Sequence, residues 1–363
     1  MVACVAVMAG GTGGHVFPAL AVAEALRAQG AEVFWIGTRT GLEARLVPEH
    51  GFEIEWLTIA GVRGKGAASW LKAPFRLAGA FAQARAILRR RQPTAVLGMG
   101  GFVSGPGGLA ARALGIPLLI HEQNCIPGLT NRWLARVATQ VFEAFPASFP
   151  PARRAILSGN PVRQAILALP APAHRFAGRT GPARVLVVGG SLGAQALNTT
   201  LPQALALLPP EQRPLVRHQA GERTLELAQT AYREAGVTAE VVPFVRDMAE
   251  AYAWADLVVC RSGALTVAEL AAAGVGAILV PYPFAVDDHQ VGNARYLSEI
   301  GAAYLIVQHE LTAAGLAALL QQLVTNRAQL LVMAEAARRR AQPHATAQLV
   351  RACLAYSAHE SQL

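Results

Sequence analysis

Cysteine is scarce. Cys4, Cys125, Cys260 and Cys353 lie far apart and form no CxxC pair, which excludes the common zinc spacings and gives no disulfide framework. Charge is sparse too, at 15% of the 363 residues against 53% hydrophobic, a balance that excludes a disordered chain. The uncharged stretches 92–111 and 270–286 are broken by Gly and Pro, so neither reads as a spanning helix. The chain opens on a strand-like run from Val2 to Met8 without a basic region and a cleavable apolar segment, so no signal peptide is expected. A soluble or peripheral cytoplasmic protein is the expectation.

What is present is glycine, 34 residues of it, together with short apolar runs that alternate with helical patterns. Cys4–Met8, Val33–Ile36, Ala95–Leu97 and Leu118–Ile120 read as strands, with helices after Phe17 and Ser104. The pattern restarts at Arg184–Val188 and continues through Leu215–His218, Glu240–Pro243, Leu257–Cys260 and Ala277–Val280. Such alternation implies α/β architecture with parallel sheets, and the length suits two domains. We expect two doubly wound Rossmann-like domains facing an interdomain cleft. Their expected bounds are 1–163 and 164–341, with a C-terminal helix in 342–363 packing back on the first. The Pro- and Gly-rich stretch 165–182 reads as the connection between them.

The charge is uneven. Residues 1–163 hold 17 Lys and Arg against 8 acids, so all of the net +9 lies there and the remainder holds 15 of each. Within 61–91 there are eight basic residues and no acid, interleaved with Trp70, Leu71, Phe75, Leu77 and Phe81. Basic attraction combined with apolar insertion favours an anionic membrane surface over nucleic acid. Trp70, Leu71, Lys72, Phe75, Arg76 and Phe81 are the candidate contacts. An ordinary solvated helix face is the plainer alternative.

Several glycine-rich turns join strand to helix. Gly10 to His15 lets backbone amides approach a ligand while the helix start adds positive potential, although a purely structural turn would look alike. It has neither the order of a dinucleotide fingerprint nor the P-loop lysine. His15 closes this turn, and imidazole is the side chain suited to accept a proton near neutrality; a capping or core histidine is the alternative. Residues 99–108 form a second such loop. His121 to Asn124 follows a strand and offers donors and acceptors for sugar hydroxyls, without HExxH spacing. Cys260 to Glu269 reads as strand, turn and helix start. Amides at Ala264, Leu265 and Thr266 could hold a diphosphate there, and Glu269 one turn on could bridge ribose hydroxyls; a simple helix-terminal charge is the competing reading. Asp287 to Gln290 has no DxD spacing, so no metal is expected.

Taken together, GGTGGHVFPALA at 10–21, GMGGFVSGPGGLAA at 98–111, HEQN at 121–124, GNPVR at 159–163, GGSLGA at 189–194, CRSGALTVAEL at 260–270 and DDHQVGNA at 287–294 closely resemble the bacterial peptidoglycan lipid II synthases of glycosyltransferase family 28. The resemblance spans essentially the whole chain. It implies a glycosyltransferase-B fold with acceptor and membrane side in the first domain and nucleotide in the second. It implies inverting transfer of N-acetylglucosamine from UDP-N-acetylglucosamine to the C4 hydroxyl of N-acetylmuramyl-pentapeptide in undecaprenyl-linked lipid I. It further implies peripheral action at the cytoplasmic face of the inner membrane, with no cofactor, obligatory metal or nucleic acid expected.

Residue by residue, the resemblance places Thr12, Gly13 and Gly14 near the donor sugar and acceptor diphosphate. His15 becomes the base, with Glu122 as helper. Asn124 would contact sugar, Arg163 the nucleotide and Ser191 the phosphate. Val245 would pair with uracil through its backbone. Ala264, Leu265, Thr266, Val267 and Ala268 would line the sugar and phosphates, Glu269 the ribose, and His289 and Gln290 the sugar. A UDP-sugar epimerase of the same fold is the rival enzyme, but it leaves 61–91 without a role. An NAD-dependent oxidoreductase would need GxGxxG and an acid ending the second strand, where this chain has Ile36-Gly37-Thr38-Arg39. A non-catalytic membrane-surface protein would leave the uridine-type motif idle.

Overall fold

The computed structural model describes residues 2–59, 67–190, 193–284 and 288–356, and for 67–73 the backbone of a helix. The chain divides into two compact units, one of 1–162 with 343–363 and one of 163–342.

The first unit is built on seven strands: β1 (Cys4–Met8), β2 (Glu32–Gly37), β3 (Glu53–Trp56), β4 (Ala95–Gly98), β5 (Leu118–Glu122), β6 (Gln140–Glu143) and β7 (Ile156–Leu157). They pair in parallel in the order β3-β2-β1-β4-β5-β6-β7. Helices α1 (Gly13–Ala28), α2 (Glu43–Glu49), α3 (Ala67–Arg91), α4 (Ser104–Ala113) and α5 (Leu129–Leu134) cover the sheet. Every residue of β1, β4 and β5 is buried, which is why β1, β4 and the Leu118–Ile120 part of β5 read as unbroken apolar runs rather than alternating ones. The strand order reverses between β1 and β4, so the loops after them meet at the carboxyl edge, the usual ligand position in such sheets.

The second unit repeats this plan. Strands β8 (Arg184–Val188), β9 (Leu215–Gln219), β10 (Glu240–Val242), β11 (Leu257–Cys260), β12 (Gly276–Leu279) and β13 (Ala303–Leu305) form a parallel sheet in the order β10-β9-β8-β11-β12-β13. Here the reversal lies between β8 and β11. The helices are α6 (Gln164–Leu167), α7 (Pro172–Phe176), α8 (Gln195–Ala206), α9 (Leu225–Glu234), α10 (Met248–Trp254), α11 (Ala264–Ala273), α12 (His289–Ser298), α13 (Ala313–Val324) and α14 (Arg327–Arg339). A last helix, α15 (Ala345–Leu354), returns to the first unit. It packs on α1 and places Leu349, Val350 and Cys353 in the core with Val5, Val7 and Leu26.

The stretch 165–182 is not a bare connection. It supplies α6 and α7 to the second unit, with Pro172 opening α7 at a position where its missing N–H costs nothing. Arg175 donates to the carbonyls of Tyr252, Ala273 and Gly274, and Arg179 pairs with the buried Asp256. Charged side chains reaching back to buried carbonyls fix this segment in place, something that lack of periodicity cannot reveal. Arg163 likewise opens the second unit instead of closing the first.

The basic segment around α3 has a split character. Phe75 is 82% exposed and Arg76 is exposed, whereas Phe81 is half-buried and packs against the core cluster that holds Ala84 and Leu88. At the end of α3, Arg91 bridges Glu53 at 2.7 Å and Glu32 at 3.2 Å, and Arg90 meets Glu55 at 2.8 Å. These two cations tie the helix to the β2–β3 edge. The side chains of Trp70, Leu71 and Lys72 lie outside the described residues. Among the described residues no helix is long and apolar enough to cross a membrane.

Candidate active site

In the first unit, the loop after β1 runs from Gly10 into α1, with extended Thr12 as the residue before the helix. The Thr12 carbonyl accepts the amides of His15 and Val16, which starts the helix. Gly11 donates its N–H to Glu43 Oε2 at 2.9 Å, and Glu43 Oε1 takes the amide and hydroxyl of Thr38 at 3.0 and 2.7 Å. Glu43 is fully buried; three donors offset the cost of holding a carboxylate there. The loop is therefore anchored from below, and the amides left for a ligand are those further along, at Gly13 and Gly14.

The loop after β4 packs against this one. A Cβ at Gly101, where φ is +86°, would lie 2.4 Å from the Gly10 carbonyl oxygen. Gly101→Ala is therefore expected to lower unfolding stability by about 2 kcal/mol through left-handed strain and backbone displacement. An unchanged urea midpoint would contradict this interlocking.

Half-buried His15 places Nδ1 2.9 Å from Gln123 Oε1. Gln123 Nε2 in turn lies 2.8 Å from the Met99 carbonyl and 3.1 Å from His121 Nδ1, and His121 Nε2 lies 2.9 Å from the Gly159 carbonyl. Burial pushes His121 down to about 4, with His15 nearby acting in the same direction.

In the second unit, the turn after β11 leads into α11. A helix does not bond its own first-turn amides, and here those of Leu265 and Thr266 stand at the carboxyl edge of the sheet, beside the strand-order reversal. Glu269 follows on the same helix, 5% exposed. Its Oε1 pairs with Arg163 at 2.7 Å and its Oε2 accepts from the Tyr252 hydroxyl at 3.1 Å. Burial lifts the Glu269 carboxyl above its ordinary range, opposed by Arg163 and Tyr252. Ser262 Oγ donates to the Gln290 carbonyl and Asn293 to that of Ser262, which joins α12 to the same turn.

A second buried histidine, His218, lies between Asn198 and Tyr232, each at 3.0 Å, and burial takes it down to about 4 as well. For both histidines the unfolded chain, titrating near 6.5, binds the proton more readily than the folded one. Their stabilising contribution is thus fully present above 6.5 and is lost as pH falls towards 4. Each unit is expected to lose roughly 2–3 kcal/mol between pH 7 and 4.5 from this source. Urea unfolding at the two values checks it; equal stability would contradict it.

Both halves of this arrangement match known domains. The glycosyltransferase family 28 N-terminal domain matches residues 5–143, and the family's C-terminal domain matches residues 184–349. The chain belongs to glycosyltransferase family 28. Within the family it is similar to the UDP-N-acetylglucosamine--N-acetylmuramyl-(pentapeptide) pyrophosphoryl-undecaprenol N-acetylglucosamine transferase of Nitrosococcus oceani, at 58% identity over 96% of this chain and 98% of that protein. The protein of the same description from Marinobacter nauticus is 57% identical over 96% of both. Among solved structures, that of Acinetobacter baumannii MurG has a TM-score of 0.84 at 46% identity, covering 97% of this chain and 99% of that one. As a family 28 member the chain is a glycosyltransferase, and its two parallel-sheet units are those of a glycosyltransferase-B fold.

Within this family 28 chain, several residues singled out from sequence take different places. Glu122 is 1% exposed. Its oxygens accept from Asn124 N at 3.0 Å, Gly128 N at 3.1 Å and Asn131 Nδ2 at 2.9 Å. Its carboxylate is turned inward and organises the loop that follows β5. His121 and Gln123 also face inward, leaving half-buried Asn124 as the member of that string nearest the surface. Val267 is fully buried in the core, and its amide bonds the Gly263 carbonyl, so it offers a ligand nothing.

Thr12 and Gly14 are exposed, and Gly13, Val245, Leu265, Thr266, Ala268, His289 and Gln290 are half-buried, whereas Ala264 is buried. Val245 N–H already bonds Gln219 Oε1 at 3.0 Å, and Gln290 Oε1 accepts from the Tyr282 amide at 2.9 Å. Ser191 lies outside the described residues. Sequence reasoning missed Glu43, Gln219 and Tyr252, which act on the site through other residues. No local motif marks them.

Proposed function

We infer that this chain transfers N-acetylglucosamine from UDP-N-acetylglucosamine to the N-acetylmuramyl-pentapeptide of an undecaprenyl-pyrophosphoryl acceptor, giving lipid II and UDP. The carrying observation is identity of 53–58% across 96% of the chain with relatives described by that reaction, and the geometry of the two loops supports it. The C4 hydroxyl of N-acetylmuramyl attacks the anomeric carbon as the bond to UDP breaks, so configuration inverts from α to β. His15 takes the hydroxyl proton on Nε2. Thr12, Gly13 and Gly14 adjoin the reacting groups, and Asn124 contacts sugar. Negative charge appearing on departing UDP meets the α11 first-turn amides of Leu265 and Thr266, oriented before the reaction begins. Ser191 would add to this phosphate binding.

Uracil meets Val245 through its carbonyl, the N–H being held by Gln219. Glu269 accepts from the ribose hydroxyls, which requires Arg163 to give up Oε1 and turn to the nucleotide. His289 and the amide nitrogen of Gln290 face the donor sugar. With purified protein and UDP-N-acetylglucosamine, UDP release is expected only when a lipid I analogue is present. UDP release at the same rate without acceptor would overturn the reading.

The first unit works against an anionic membrane at the cytoplasmic face of the inner membrane. Exposed Phe75 and Arg76 lie on α3, which packs on α4, which packs on α5. Leu109, Leu129 and Trp133 on those neighbours are exposed beside Arg112, Arg132 and Arg136. Inserting an aromatic side chain is worth about 2 kcal/mol. Phe75→Asp is therefore expected to weaken binding to phosphatidylglycerol vesicles by about 30-fold, and salt to weaken it further. Co-sedimentation unaffected by both changes would count against membrane docking.

A further inference from the structure

The bonds behind His15 determine which of its nitrogens is open. The chain of hydrogen bonds begins at the buried end. A carbonyl can only accept, so His121 Nε2, 2.9 Å from Gly159 O, carries a hydrogen. His121 is fully buried and neutral at physiological pH, so its Nδ1 is an acceptor. Gln123 Nε2 faces that nitrogen at 3.1 Å and the Met99 carbonyl at 2.8 Å. Both its amide hydrogens are thereby engaged, and its orientation is fixed. Asn160 holds the Gln123 backbone carbonyl at 3.0 Å. The remaining amide oxygen points at His15 Nδ1, 2.9 Å away.

We propose that Gln123 is a positioning residue that holds His15 in the tautomer with Nδ1 protonated and Nε2 open, with His121 and Met99 locking Gln123 itself. The amide oxygen only accepts, so His15 Nδ1 must donate. A neutral imidazole has one ring hydrogen, which leaves the Nε2 lone pair for the acceptor hydroxyl. When Nε2 takes the proton, Nδ1–H keeps its bond to Gln123 and the ring need not turn. Gly100 makes the approach possible: a Cβ there would lie 2.7 Å from His15 Nδ1. The proposal deepens the reading of His15 as the base and rests on it for its catalytic consequence.

The test is the ring-nitrogen tautomer from long-range ¹H–¹⁵N correlation spectra of histidine-labelled full-length protein, with His15→Ala assigning the signal. Wild type is expected to show Nδ1–H and a bare Nε2 at His15, and the opposite tautomer at His121. Finding Nε2–H at His15 would overturn the proposal without any variant. A wrong tautomer in a Ser-His-Asp triad costs about 10⁴ in kcat. Gln123→Ala leaves the tautomer unfixed rather than wrong, and is expected to cost about 10²-fold in kcat with KM for the donor within twofold, while His15 shifts towards Nε2–H. An unchanged tautomer and kcat in that variant would refute it. Full turnover by His15→Ala would remove the base reading, and the spectra would still decide whether Gln123 sets the ring.

Discussion

Replacing His15 by alanine is expected to cut kcat by about 10²–10⁴-fold, the usual contribution of a positioned general base. The proton of the attacking hydroxyl then loses its acceptor, and Glu122, the other candidate read from sequence, is 1% exposed and bonded to its own loop. Binding of UDP should change by less than twofold, since the α11 amides and Glu269 belong to the second unit. Stability should fall by only about 1–2 kcal/mol, because the buried Gln123 amide oxygen loses its donor. The site is half-buried within α1, where alanine is a good helix former. Steady-state kinetics with a lipid I analogue and calorimetry with UDP separate these effects. A variant that loses UDP binding and turnover together would place His15 in ground-state binding.

Glu269→Ala is expected to raise KM for the donor about 100-fold with a smaller effect on kcat. Each hydrogen bond from a ribose hydroxyl to a carboxylate is worth about 1.5–3 kcal/mol, and these contacts are made equally before and during the reaction. The variant should also lose about 1–3 kcal/mol of stability, because the buried Tyr252 hydroxyl would have no acceptor. The ion pair with Arg163 adds little to that sum: the Arg163 side chain is 49% exposed and can turn to solvent. Glu269→Gln keeps an acceptor for Tyr252 and should recover most of the stability but not the affinity. Unchanged donor KM in both variants would remove Glu269 from the ribose site.

Much of the fold is legible because its central strands are buried on both faces. β1, β4, β8, β11 and the Leu118–Ile120 part of β5 are short, largely apolar runs, each leading through a turn into a helix, and that signal needs no tertiary knowledge. Edge elements are less legible. β3, Glu-Ile-Glu-Trp, carries acids that make sense only once Arg91 and Arg90 of α3 reach them. The same ion pairs account for part of the basic segment that sequence alone assigns to a membrane.

The site divides in the same way. Glycine turns and helix starts are local features and could be located from sequence. Whether a polar side chain faces a ligand or the interior depends on what packs behind it. His121, Glu122 and Gln123 end a central strand and turn inward, so a string that resembles a sugar-binding surface is largely a scaffold for His15 and Asn124. Val267 shows the apolar counterpart, a motif residue that belongs to the core. Arg163 and Glu269 are 106 positions apart in sequence, and no spacing rule would pair them.

The most direct measurement follows the label from UDP-[¹⁴C]-N-acetylglucosamine, supplied to the purified full-length chain with and without a lipid I analogue. The expected result is label in a lipid-extractable product, β-linked to the C4 position of N-acetylmuramyl, appearing only when acceptor is present. Folded protein that leaves all label in the nucleotide sugar, or that epimerises it without acceptor, would contradict the account.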